Sequence, residues 1–270
     1  VQIIHNSPSP TVDIWLNGEP AITDFQFRDA TGFLELTAGF DIEIGIAPSP
    51  SSDPSDIIFT QTVNLEAEQN YVVLAQGALG NMMRPFQLNI VGNALTAAPD
   101  GQTVALNVVH GGVDAPPVDV GVRGLAQRIV ENLAFSESNG YLNLPVGSFI
   151  FDLFAAGAET PVASFSADLS NLGGGAGTVF ASGYLDPSLG DAFGLFVALP
   201  DGTVAELPVT EQATLQIIHN SPGTTVDVYI NDAQALDNFE YTVATNTIFV
   251  QAGVDLKIDV APANSTSSAD

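Results

Sequence analysis

Only three histidines occur in the 270 residues, and each stands at the same place in a recurring pattern: an apolar run, His, a short turn, then a hydrophobic strand with an internal Asp. His5 is followed by Asp13, His110 by Asp119 and His219 by Asp227. A histidine with a nearby carboxylate can hold a metal, and with Ser7 added the trio of a serine nucleophile can be drawn on paper. Neither chemistry is expected. A catalytic zinc normally takes three protein ligands, whereas repeats that fold separately leave one histidine to each site. Ser7 sits two residues from His5 in a Pro-flanked turn without a strand-to-helix elbow, and the middle copy replaces it with Gly112. The six His and Asp residues are therefore expected to be structural markers of the repeat, with each His bonded to its own turn or to a carboxylate. No catalytic, cofactor-binding or metal-ligating residue is assigned, and an enzyme is not expected.

Other groups were weighed in the same way. Asp53, Asp56, Asp186 and Asp191 lie in loops rich in Pro, Ser or Gly and are hard oxygen donors suited to calcium, but no EF-hand or acidic nonapeptide pattern surrounds them. Their expected state is solvated, with calcium as the one ion to test. The run from Gly173 to Gly177 lacks the spacing and following helix of a nucleotide loop and reads as a turn. Asn264-Ser265-Thr266 fits a glycosylation acceptor.

Composition narrows the partners. Five Lys and Arg against 31 Asp and Glu give a formal charge of −26, which repels nucleic acid and anionic membrane surfaces. Charged residues make up 13% of the chain, about half the usual share, so the surface is polar but sparsely charged. Cysteine is absent, and no apolar run reaches the length of a membrane span. The sequence opens directly on a strand-like run, VQIIH, so any secretion signal is expected to have been removed or never to have been in this chain. Low lysine and abundant aspartate favour an extracellular or cell-surface address.

Residues 1–48 align with residues 215–262 at a constant offset of 214 with 21 identities, among them the whole run Gln2 to Pro8 returning as Gln216 to Pro222. A divergent middle copy starts near Ala105. Within a copy, Val12, Ile14 and Leu16 alternate with Asp13, Trp15 and Asn17, and Ile42, Ile44 and Ile46 alternate in the same way, which is the mark of half-buried strands. Further strands are expected at 1–5, 22–28, 33–37, 57–65, 70–76 and 85–91, separated by turns at Asn17-Gly18, Ala38-Gly39 and Gly92-Asn93. Pro200-Asp201-Gly202 is expected to close a hairpin in the second copy. The fold class read from this is all-β: tandem immunoglobulin-like antiparallel β-sandwich domains, two complete (1–102 and 103–212) and one partial (213–270). Short linkers near 96–103 and 208–214 suggest a semi-rigid rod of separate beads. The partial copy is expected to be completed by further chain or by a neighbouring subunit.

His5-Asn6-Ser7-Pro8 followed by Thr11 to Gly18, and its echo from His219 to Asn231, resembles the domain of unknown function 4397 family. That resemblance implies tandem β-sandwich domains of secreted or surface-attached microbial proteins and implies no reaction. Aromatic residues out of phase with the core, namely Trp15, Tyr229, Phe33 and Tyr141, are expected to face outward. Together with Val1, Ile3 and Phe249 they form the candidate interface, unless loops of the same domain cover them. The expected function is a non-catalytic extracellular structural or adhesive protein, a rod of sandwiches that forms a filament or surface layer. Its partners would be copies of itself or neighbouring surface proteins. The competing expectation is a carbohydrate-binding or calcium-dependent adhesion module that takes glycans.

Overall fold

The computed structural model describes residues 1–125 and 127–269. It is all-β, arranged as separate sheets in two sandwiches followed by a half sandwich. The first unit contains β1 (Gln2–Asn6), β2 (Val12–Leu16), β3 (Glu19–Phe25), β4 (Asp41–Pro48), β5 (Phe59–Asn64), β6 (Val72–Gln76) and β7 (Gln87–Val91). Its two sheets run β3-β2-β4-β5 and β1-β6-β7. Asn17 and Gly18 both take positive φ, 51° and 80°, giving the two-residue turn whose twist matches a β2–β3 hairpin. Inward residues Val12, Ile14, Ile44, Ile46, Val73 and Leu88 meet in one core.

The second unit adds β8 (Thr103–Val109), β9 (Val118–Val122), β10 (Arg128–Leu133), β11 (Ser138–Pro145), β12 (Ser148–Ala155), β13 (Pro161–Asp168), β14 (Ala176–Ser182), β15 (Gly194–Ala198) and β16 (Val204–Glu206). They form sheets β10-β9-β12-β13 and β11-β8-β14-β15-β16. The expected hairpin at Pro200-Asp201-Gly202 joins β15 to β16, with Gly202 at φ 93°. The third unit holds β17 (Gln212–Leu215), β18 (Val226–Ile230), β19 (Ala233–Phe239), β20 (Ile248–Gln251) and β21 (Ile258–Pro262). Its pairing of Val226 with Pro262 reproduces that of Val12 with Pro48 one repeat earlier.

Four expectations need correction. The sandwiches are not purely antiparallel, because β1 runs parallel to β6 and β8 parallel to β14. Four or more strands separate the partners, so a hairpin does not dictate their direction. Residues 33–37 are not a regular strand; instead the stretch from Asp29 to Leu34 lies along β1, with the His5 amide donating to Asp29 (2.9 Å) and the Leu34 amide to Val1 (2.7 Å). The strand expected at 22–28 ends at Phe25, since Asp24 and Arg28 adopt positive φ and turn the chain. Finally, the first two units are not separate beads. Ile4, Val72 and Leu74 from the outer face of one sandwich share an apolar cluster with Val109, Phe180, Phe196 and Ala198 from the outer face of the next. Strands buried on both faces read as unbroken apolar runs rather than alternations, as β6 and β14 do.

Candidate functional site

The repeated histidines and aspartates hold turns. The His5 Nε2–H donates to the Pro10 carbonyl at 3.0 Å, and the Ser7 amide donates to Nδ1 at 3.3 Å, so both ring nitrogens of a neutral imidazole are engaged. Burial lowers the pKa of His5 against smaller raising effects from Pro10 and Asp29, and burial likewise lowers that of His110. Asp13 accepts from the Asp24 amide (2.8 Å) and from the amide and hydroxyl of Ser51 (2.6 and 2.7 Å), tying the bend in β3 to the loop after β4. Burial would raise the pKa of Asp13, but the bonds from Ser51 and Asp24 outweigh it and hold it below the usual value. Asp119 is held down first by the Asn132 amide and then by Gly157, and Asp227 first by Asn238 and then by Ser265. In the first unit both ring nitrogens of His5 are bonded, and the three hydrogen bonds that Asp13 accepts favour its charged form.

Of the expected outward residues, Trp15 and Tyr229 lie on the outer sheet face as their phase requires, but loops cover them. The Trp15 indole donates to Ser51 Oγ at 3.0 Å, and the Tyr229 hydroxyl lies 2.8 Å from Ser265 Oγ. Both side chains are buried, a correction to their expected exposure whose cause is the loop folding back on the aspartate. Val1 and Ile3 pack into the first unit's own core. Tyr141 is half-buried in β11, where burial raises its pKa against hydrogen bonds with Leu95 and Thr178. Phe249, opposite Thr214, is also half-buried. Phe33 alone of the set packs against the cluster between the first two units. The loop carboxylates Asp53, Asp56 and Asp186 accept from amides of their own turns. Among the described residues no three His, Cys, Asp or Glu side chains gather as a metal site.

The best-built contact is the one between the first two units. Gln2 Nε2 donates to Leu199 O (2.7 Å) and Asn6 Nδ2 to Ala181 O (2.9 Å). The Arg28 guanidinium lies 4.1 Å from the centre of the Phe196 ring while bonding Ser182 Oγ and Ala192 O. On the far side Arg84 stacks on Phe135, and Asn89 donates to Ser136 O at 2.8 Å. Gly111 is the counterpart of Asn6 in the second unit, and a Cβ there would lie 2.0 Å from Asn6 Nδ2. The Gly-Gly of the middle copy thus leaves room for the asparagine of the first. Reading the chain for alternation alone missed Asn6, Arg28, Gly111, Phe180 and Phe196. Their signal was the consecutive apolar pairs Ile3-Ile4 and Val72-Val73-Leu74, and the replacement of Asn by Gly at one repeat.

The third unit rewrites much of this face. Gln2, Ile4, Asn6, Ala30 and Thr31 return as Gln216, Ile218, Asn220, Ala244 and Thr245. The bridge between Ile4 and Ala30 recurs between Ile218 and Ala244. Here the face is uncovered, with Ile218 exposed.

Fold and contacts define a chain of β-sandwich units, the first two joined through sheet faces. Residues 1–121 match the family described as Domain of unknown function (DUF4397), so this part of the chain carries a DUF4397-like domain. No curated protein matches the chain. Among the described residues, no helix is long and apolar enough to cross a membrane.

Proposed function

We propose that the chain is a non-catalytic structural or adhesive component of an extracellular surface, assembling with copies of itself or neighbouring surface proteins through outer sheet faces. The observation that carries this reading is the docking face itself: it is covered in the first unit and repeated, uncovered, in the third. An exposed apolar patch with backbone-bonding amides beside it is a contact surface, for further chain or for a neighbouring protein. The formal charge of −26 and a single lysine, Lys257, fit an extracellular address. A glycan platform has less support, since Trp15 and Tyr229 lie beneath loops. The same holds for calcium, since the loop carboxylates close their own turns.

The test is light scattering across a concentration series. The parent chain should form species larger than a monomer, and Ile218→Asp should return it to a monomer without lowering its melting temperature. A parent chain that stays monomeric throughout would overturn the proposal.

A further inference from the structure

The two sheets of the second unit do not close on one another. Between them lies a cavity of about 1050 Å³, whereas the corresponding space in the first unit holds about 20 Å³. Register explains part of the difference. Ile3, Ile14, Val63 and Phe25 of the first core are replaced in the second by the smaller Val108, Val120, Ala167 and Leu133, while Ile42 and Ile44 are replaced by the larger Phe149 and Phe151. The wall is aliphatic and aromatic, with Leu106, Leu142, Phe151, Leu153, Leu195 and Val197 among its members. Protein interiors are close-packed, and the penalty for a void grows with its volume. A space of this size, partly open to solvent, departs far from that packing. Water would find few polar partners there. The volume is that of a site for a small apolar molecule.

The few polar groups in the wall specify the ligand further. Asp168 and Asp201 are present, and no Lys or Arg lines the space among the described residues. All five cations of the chain are engaged elsewhere: Arg28 and Arg84 between units, Arg123 on Asp152, Arg128 over Phe154 and Lys257 on Asp232. An anionic head group would thus meet carboxylates without a countercharge. His110 also lines the cavity. Its Nε2–H donates to Pro116 O at 2.9 Å, which leaves Nδ1 an acceptor, and that buried atom has no partner among the described residues. In the first unit the Ser7 amide satisfies the same atom of His5.

We infer that the second unit binds an uncharged aliphatic ligand between its sheets, of the long-chain alcohol class, with the ligand hydroxyl donating to Nδ1 of His110. The inference is independent of the assembly proposed above. It is tested on the full chain with 1-dodecanol, dodecane and dodecanoate, read by calorimetric melting and by native mass spectrometry. Dodecanol should bind one to one and raise the melting temperature by on the order of 10 °C at a hundredfold excess over Kd. Dodecane should bind more weakly, and dodecanoate at least about tenfold more weakly than the alcohol. Val197→Phe narrows the space and should weaken uptake severalfold while melting no lower than the parent without ligand. Leu142→Phe serves the same purpose should the first variant fail to fold. His110→Phe should retain dodecane binding and lose the preference for the alcohol. Absence of saturable uptake by the parent chain, unchanged uptake by a folded cavity-narrowed variant, or dodecanoate binding as tightly as dodecanol would each overturn the inference.

Discussion

The first and third units share 21 of 48 aligned residues and the same strand register, yet their surfaces differ sharply in exposure. Ile4 is 0% exposed and Ile218 62%; Ile46 is 3% exposed and its counterpart Val260 65%. Local devices recur in both: the tight turn after the second strand, the buried aspartate that gathers amides, and the aromatic ring under the loop. These are built from contacts within about 50 residues and need no partner. Burial of Ile4, by contrast, is conferred by the second unit, and burial of Ile46 by the opposite sheet of its own sandwich. The pattern of a half sandwich is therefore local, while its stability is borrowed from what lies against it.

Placing a charge at the two matched isoleucines separates these contributions most strongly. Ile4→Asp buries a carboxylate between two sheets and should cost more than about 4 kcal/mol or prevent folding, whereas Ile218→Asp should change stability by less than about 0.5 kcal/mol in urea titration. Next in size is Gly111→Ala, which forces a Cβ against Asn6 and should destabilise by about 2 kcal/mol. Combining it with Asn6→Gly should recover part of that loss, and a cycle without coupling would show that the two residues do not share the space. Asp13→Asn keeps one acceptor and loses the others, so it should cost about 1–3 kcal/mol by thermal melting. Trp15→Phe removes the bond to Ser51 and part of a buried ring and should cost about 1–2 kcal/mol.

Acid sharpens the same contrast. His5 and His110 have folded-state pKa values below their unfolded one, so the unfolded chain binds protons first and stability should begin to fall as pH drops through about 6.5. Asp13, Asp119 and Asp227 are also depressed; the stability they provide is present above about pH 3.9 and lost as pH falls toward their folded values. A stability profile flat between pH 7 and 5 would contradict the histidine part.

Much of the fold was legible because its signals are short-range. Alternation in Val12 to Leu16 identified the inward face, Asn17-Gly18 located a hairpin, and the 214-residue offset revealed the repeat. The histidines were legible as structural because three copies in three units cannot converge on one metal. What resisted reading is what depends on tertiary neighbours. Trp15 has the phase of an exposed residue, and only the loop carrying Ser51 hides it. Ile4 looks like a surplus core residue until Phe180 and Phe196 are brought against it. The cavity was invisible for a related reason: its lining residues are ordinary strand residues, and the space between them exists only once two sheets set their distance apart.

The fit of Asn6 over Gly111 makes this joint directional. Two asparagine-bearing faces brought together in the same way would collide, so the uncovered face at Asn220 is complementary to a glycine-type surface and not to a copy of itself. Under the proposed assembly a contact of that geometry would be heterologous, and it would need a partner surface other than Gly111, which Asn6 of the same chain already covers.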